Sequence, residues 1–78
     1  MKKVVMPKLK DDMESGVLCA WCAEEGEHIS AGDALFEVEA AKVVSSVEAD
    51  VSGKIVRLAA EEGDEIAVGE VIAEIEED

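Results

Sequence analysis

The sequence predicts an all-β fold in which two antiparallel sheets face each other as a flattened barrel or sandwich. Three observations favour this class: an internal repeat, apolar residues that alternate with charged ones, and glycines at regular turn positions. No helical pattern of apolar residues extends over a useful length. With 78 residues, of which 3% are aromatic, we expect a single domain over residues 1–78 with a modest, aliphatic core.

An internal repeat becomes visible when the chain is aligned with itself at a shift of 37 positions. Many aligned positions then carry the same residue or pair one apolar residue with another. The glycines that coincide are Gly16 with Gly53, Gly26 with Gly63, and Gly32 with Gly69. We therefore expect two similar units, at about residues 4–41 and 42–78, related by a quasi-two-fold axis. Closure of the two sheets against each other would cover their edges.

The strands of each unit follow from runs of β-favouring residues between turns. Residues 4–6 and 43–47 are expected to open the two units, and residues 17–23 form a longer apolar run. His28–Ile29 makes a short extended piece between two glycine-containing turns. Glycine supplies turn conformations that residues with a Cβ adopt less readily.

The last strand of each unit shows the clearest alternation. In the first unit, Phe36 and Val38 are expected to face one side, while Leu35 lies with the glutamates on the other. The second unit copies this pattern, with Ile75 inward and Glu74 outward. A period of two is typical of half-buried strands.

The link between the units, at residues 40–43, is the expected symmetry mate of the chain ends. It should therefore lie at the opposite end of the molecule from Met1 and Asp78. Its centre, Ala41-Lys42, is compatible with a type I turn, although the link contains no Gly, Pro, Asn or Asp. A tight turn there would direct Lys42 outward into water.

Lys42 is isolated, because no other Lys or Arg lies between Lys10 and Lys54. One interpretation is an ordinary solvated lysine on a loop. The other is a covalent attachment point, because a dedicated ligase can acylate an exposed lysine amine and so place a cofactor on a long flexible stem. Position and isolation alone leave both interpretations open.

The charge balance restricts the class of partner. A net charge of −13, from 7 Lys and Arg against 20 Asp and Glu, disfavours nucleic acid and anionic membranes and favours basic protein surfaces. The longest uninterrupted apolar run, residues 17–23, is far shorter than the roughly 20 residues of a membrane-spanning helix. No signal-peptide pattern opens the chain, and two cysteines are too few for a disulfide framework. We expect a cytoplasmic location.

Other candidate chemistries have weaker support. Cys19 and Cys22 have the spacing of a redox motif, but they lie in a predicted strand and not at a helix N-terminus, where a thiolate is stabilised. Adding His28 gives a zinc candidate without a convincing fourth ligand, and its repeat mate Glu65 indicates a surface turn residue instead. Trp21 is interpreted as a packing residue. No catalytic residue and no metal ligand is predicted.

A set of short motifs extends over nearly the whole chain. They are Met6-Pro7-Lys8-Leu9, Met13-Glu14-Ser15-Gly16, Trp21, Glu25-Gly26-Glu27-His28-Ile29, Gly32-Asp33-Ala34-Leu35, Glu37-Val38-Glu39, Val51-Ser52-Gly53, Glu62-Gly63-Asp64 and Gly69. In these motifs the chain resembles the biotinyl/lipoyl attachment domains. Residues 6–16 are most similar to the lipoyl domain of the acyltransferase component of 2-oxo acid dehydrogenase complexes. The resemblance implies a barrel-sandwich hybrid fold and places Lys42 where the family has its modified lysine.

The resemblance further implies a non-catalytic carrier. A lipoate ligase or lipoyl transferase would attach lipoate to Lys42. The resulting swinging arm would shuttle acyl groups and reducing equivalents among the decarboxylase, acyltransferase and flavoprotein dehydrogenase components of a 2-oxo acid or acetoin-type complex. Two sets of residues are candidate recognition elements for basic partners: acidic side chains expected near the hairpin, such as Glu39 and Glu48, and the loop at residues 10–14.

The residues around Lys42 leave the cofactor open. Lipoyl domains usually carry Asp at the position of Ala41, whereas biotinyl domains usually carry Met at the positions of both Ala41 and Val43. Asp50 stands where the family often has Pro. A biotin carboxyl carrier that uses the same lysine is therefore the first alternative, and an unmodified β-sandwich adaptor is the second. In longer chains a Pro/Ala-rich linker would normally follow such a domain, and this sequence contains none. We therefore expect either a free-standing carrier or a domain cut from a longer chain.

Overall fold

The computed structural model describes residues 1–9 and 11–78. Over these residues the backbone forms eight strands and no helix, which confirms the all-β prediction. The strands are β1 Lys2–Val5, β2 Ser15–Trp21, β3 His28–Ile29, β4 Ala34–Ala40, β5 Val43–Glu48, β6 Gly53–Leu58, β7 Glu65–Ala67 and β8 Val71–Glu77. The described part of the chain accordingly contains no helix long and apolar enough to span a membrane.

The strands form two four-stranded sheets in which every neighbouring pair is antiparallel. One sheet has the order β1-β8-β6-β3, and we call it the terminal sheet because it contains the first and last strands. The other has the order β5-β4-β2-β7, and we call it the hairpin sheet because it contains the β4–β5 hairpin. The predicted pair of antiparallel sheets is confirmed.

The two sheets are related by quasi-two-fold symmetry, as the sequence predicts. Strands β6, β7 and β8 follow β2, β3 and β4 at the spacing of the repeat. Backbone hydrogen bonds cross the axis reciprocally: the N–H of Leu18 donates to the carbonyl of Asp64, and the N–H of Ile55 donates to that of Glu27, each at 2.9 Å. Each bond lies within one sheet and joins residues of the two units, so the backbone hydrogen bonding of each sheet is completed by both units.

The core between the sheets is aliphatic apart from one phenylalanine. The largest completely buried side chains are those of Met6, Leu18, Leu35, Phe36, Val38, Ile55, Ile72 and Ile75. Burial of each such side chain contributes roughly 1.5–3 kcal/mol to folding. No polar or charged side chain of the described residues is buried with them, so the ionisable groups lie at the surface.

Strict alternation fails at the start of β4. Leu35 is 2% exposed and Phe36 is 0% exposed, so these consecutive side chains both face the core. The cause is a β-bulge, because the register with β5 shifts between Ala34 and Phe36 and the extra residue reverses the direction of the side chains that precede it. The predicted outward position of Leu35 is therefore wrong, whereas the inward position of Ile75 is confirmed.

Candidate functional site

Ala41 and Lys42 form the two-residue loop of the β4–β5 hairpin. Ala40 and Val43 are the last cross-strand pair before the loop. The backbone φ is 52° at Ala41 and 66° at Lys42. Positive φ at both central residues indicates a type I′ turn, whose twist matches that of the flanking strands. The type I turn with which Ala41-Lys42 is compatible is therefore not the turn that forms, because the central residues of a type I turn have negative φ.

The hairpin holds two residues that carry a Cβ in the left-handed backbone region. This conformation costs roughly 1–2 kcal/mol per residue, which is why Gly and Asn are preferred in such turns. Neither occurs in the link, so the local sequence carries no signal for this turn. The conformation is maintained by the cross-strand register of β4 with β5, which extends from Ala34 opposite Glu48 to Ala40 opposite Val43. The sheet, and not the preference of the loop residues, thus positions Lys42.

The side chain of Lys42 extends into solvent from the tip of the hairpin. The residue is exposed, and its amine belongs to none of the ion pairs formed within residues 1–9 and 11–78. The neighbouring Val43 and Val44 are 50% and 55% exposed, and Ala41 on the other side has only a methyl group. A modifying enzyme can therefore reach the Lys42 amine without displacing a larger side chain.

One part of the predicted recognition loop lies directly beside the tip. Asp12, Met13 and Glu14 line a shallow depression together with Ala40 and Ala41. The Met13 side chain is buried in the core and anchors this segment, while the two acidic residues remain exposed. Lys10, the first residue of the predicted loop, lies outside the described residues. Two carboxylates are therefore brought to the edge of the candidate site by packing that the sequence pattern does not show.

The two glutamates predicted to flank the hairpin lie at opposite ends of it. Glu39 is exposed and stands opposite Val44, close to the tip. Glu48 stands opposite Ala34 at the far end of β5. Because β5 has six residues and a strand rises about 3.3 Å per residue, Glu48 is about 20 Å from the turn. Glu48 thus belongs to the hairpin but lies far from its tip, so as a recognition element near the turn its expected position is wrong.

The chain ends lie at the end of the molecule opposite Lys42, as the repeat predicts. The N–H of Asp78 donates to the carbonyl of Ser52 at 3.1 Å. The amine of Lys2 lies 3.3 Å from a carboxylate oxygen of Asp50. Both contacts involve the segment that follows the distal end of β5, and the molecule is 34 Å long. Lys42 therefore stands well away from the terminal residues.

The cysteines and the histidine do not converge on a metal site. Cys19 and Cys22 are both free and exposed. The Nε2 atom of His28 lies 2.9 Å from a carboxylate oxygen of Asp78, on the surface. No group of three or more His, Cys, Asp or Glu side chains that could hold a metal ion is found in the described ranges.

Trp21 has a packing role. Its ring meets that of Phe36 edge to face, with centroids 5.4 Å apart, and its Nε1 donates to the carbonyl of Ala60 at 3.0 Å. Both contacts hold the end of β2 against the rest of the molecule.

A flattened barrel of two quasi-symmetric sheets with an exposed lysine at a hairpin tip is typical of domains that carry a covalently attached prosthetic group. Residues 2–75 match the biotin–lipoyl family, which is described as "Biotin-requiring enzyme". The chain belongs to this family.

Among proteins of related sequence are components of dehydrogenase complexes. The chain is 41% identical over 56 residues to the mitochondrial pyruvate dehydrogenase protein X component of Mus musculus, a match that covers 72% of this chain and 11% of that protein. It is 43% identical over 54 residues to the dihydrolipoyllysine-residue acetyltransferase component of the acetoin cleaving system of Pseudomonas putida, covering 69% of this chain and 15% of that protein. The chain thus spans only a small part of the length of these curated relatives.

Two solved structures share the fold. The lipoyl domain of the 2-oxoglutarate dehydrogenase complex from Azotobacter vinelandii superposes with a TM-score of 0.82 at 25% identity, covering 99% of this chain and 98% of that one. The urea carboxylase of Kluyveromyces lactis gives a TM-score of 0.72 at 27% identity, covering 96% of this chain and 7% of that one.

Proposed function

We propose that this chain is a lipoyl carrier domain in which lipoate is attached to the amine of Lys42. The observation that carries the proposal is the exposed lysine on a two-residue turn, held out by a well-packed sheet at the end of the molecule farthest from the chain ends. The domain is a carrier and not a catalyst.

The residues at the tip fit an acylated lysine. Because the Lys42 amine is exposed and joins no ion pair of the described residues, its conversion to an amide removes no existing salt bridge. Ala41 and Val43 leave space on both sides of the stem. When bound, a lipoyl group supplies the dithiolane sulfur atoms that carry acyl groups and electrons. The hairpin fixes the base of the stem while the solvated side chain turns freely, which keeps the carried group at a high local concentration.

The relatives support lipoate as the cofactor and suggest the partners. Several are named as acetyltransferase components that contain a dihydrolipoyllysine residue, from pyruvate dehydrogenase complexes and from acetoin cleaving systems. By analogy, the partners of this chain are the decarboxylase, acyltransferase and flavoprotein dehydrogenase components of such a complex. A lipoate ligase or lipoyl transferase modifies Lys42.

A biotin carboxyl carrier is the second candidate function. The family includes biotin-dependent proteins, and the structural similarity to a urea carboxylase supports this alternative. Neither flanking residue of Lys42 is the Asp or Met that would favour one cofactor, so the small residues Ala41 and Val43 suit both. The same lysine would carry the group in either case.

The intact mass of the protein purified from its native host separates these functions. We expect the increment of one lipoyl group, located on Lys42 by peptide mapping, and no binding of streptavidin on a blot. A biotin increment together with a streptavidin signal would support the carboxyl carrier. An unmodified mass from cells that lipoylate other proteins would instead support the adaptor alternative and reject the proposal.

Two lysine variants test the attachment site. Lys42→Ala should abolish the adduct and leave the unfolding free energy within about 0.5 kcal/mol of the parent, because surface substitutions without partners have small effects. Lys54→Ala, a change of another exposed lysine, should retain the adduct. An adduct that persists in Lys42→Ala would contradict the assignment.

A further inference from the structure

The two sheets carry equivalent glutamates on their outer faces. Glu37 in β4 and Glu74 in β8 occupy the same position of the repeat and are both half-buried. Glu39 and Glu76 are likewise equivalent, and both are exposed. Residues directly opposite in antiparallel strands lie on the same face, so the register shows what flanks each carboxylate. The repeat therefore provides an internal comparison of the same sites on two faces.

On the terminal sheet each of these carboxylates faces a cation. Glu74 stands opposite Lys3 in β1 and opposite Arg57 in β6. An Nη1 atom of Arg57 lies 3.4 Å from a carboxylate oxygen of Glu74. Glu76 stands opposite Lys54. The negative charges on the outer face of the terminal sheet are thus balanced by neighbouring strands.

On the hairpin sheet the equivalent carboxylates face no cation. Their cross-strand neighbours are Ser46 and Ala20 for Glu37, and Val44 and Val17 for Glu39. No Lys or Arg occurs in β2, β4, β5 or β7, and all four strands lie within the described residues. The cations of the terminal sheet are therefore replaced by neutral residues at every equivalent position.

The fold itself does not require this difference, because the same strand arrangement forms with balanced charges on the terminal sheet. In a chain with a net charge of −13, unbalanced carboxylates repel one another at some cost in stability. Solubility alone would be served equally by either face. The unbalanced face is the one that includes the Lys42 hairpin, and it also exposes Val44, at 55%.

We propose that the outer face of the hairpin sheet is the docking surface for a partner protein that presents lysines and arginines around the entrance to its active site. Glu37 and Glu39 pair with these cations, while Val17 and Val44 supply the apolar contact between them. Complementary charge of this kind steers encounter and fixes orientation. Docking along this face leaves Lys42 at its edge, so that the modified side chain points into the partner. This inference rests on the proposed carrier function.

The repeat supplies a matched pair of variants for the test. The double variant E37Q/E39Q removes two charges from the hairpin sheet, and E74Q/E76Q removes two charges from the equivalent positions of the terminal sheet. A decalysine peptide at low ionic strength serves as the probe for a basic surface, with binding followed by amide chemical shifts of the labelled domain. We expect shifts concentrated on β2, β4 and β5, and a loss of affinity of at least fivefold in E37Q/E39Q but less than twofold in E74Q/E76Q.

Equal weakening by the two variants, or equal shifts on both sheets, would overturn the proposal. Thermal unfolding of each variant separates loss of binding from loss of structure, and Glu39→Gln alone provides a milder change should the double variant unfold.

The peptide titration uses the unmodified domain, so its outcome does not depend on lipoylation. With the lipoylated domain and the decarboxylase component of the same host, E37Q/E39Q should raise KM for the domain with little change in kcat. A failure of acyl transfer in the parent protein would count against the carrier function and leave the titration result intact.

Discussion

The carboxylate of Glu62 accepts a hydrogen bond from the backbone N–H of Trp21 at 2.9 Å. Across the quasi-two-fold axis, Glu25 accepts one from the N–H of Leu58 at 2.8 Å. Each glutamate lies in a turn of one unit and binds the end of a long strand of the other unit. The sequence repeat therefore produces two equivalent hydrogen bonds between the units, one at the end of β2 and one at the end of β6.

We expect Glu25→Ala and Glu62→Ala each to lower the free energy of unfolding by about 1 kcal/mol, the net contribution of such a hydrogen bond. Urea denaturation of the purified variants measures this. Glu24→Ala and Glu61→Ala are the matched controls, because they remove the same charge from the neighbouring positions. The interpretation fails if the controls destabilise as much as the test variants.

The strained turn at Ala41 gives a second prediction. Ala41→Asn should raise the free energy of unfolding by up to about 1 kcal/mol, because Asn tolerates the left-handed region better than Ala. Ala40→Asn, a change within β4, should lower it instead, because Asn is disfavoured in strands. The comparison of melting temperatures is decisive: equal effects of the two substitutions would show that the turn stores no strain.

The equivalent glycines at the start of β2 and β6 should differ in their tolerance of alanine. A Cβ at Gly53 would contact the backbone carbonyl oxygen of Glu76 and would lie 2.9 Å from the Cα of Glu77. A Cβ at Gly16 would instead meet the side chains of Val38 and Met13, at 2.7 and 2.9 Å, and side-chain ends can shift. We expect Gly53→Ala to cost about 3 kcal/mol and Gly16→Ala about 1 kcal/mol, in the range known for overpacking. Chemical denaturation distinguishes the two, and a reversed order would contradict the packing described.

Much of the fold could be predicted because the two halves of the sequence can be aligned with each other. Glycines in register and alternating apolar residues define two units of strands, and symmetry then requires the Lys42 link to lie opposite the chain ends. The sequence did not predict two features of local geometry, namely the bulge that buries Leu35 and the turn type at Ala41. Both depend on register between strands, which is fixed by packing across the sheet and not by neighbours in the chain.

The sequence by itself determined that the chain folds as two quasi-symmetric β units and that a solitary lysine lies at their junction. Only the tertiary structure decided that Glu48 lies far from that lysine, that Asp12 and Glu14 lie beside it, and that the carboxylates of one sheet are balanced while those of the other are not. The physical reason is that charge compensation and proximity arise between strands distant in sequence. They therefore depend on cross-strand register, which the pattern along the chain does not contain.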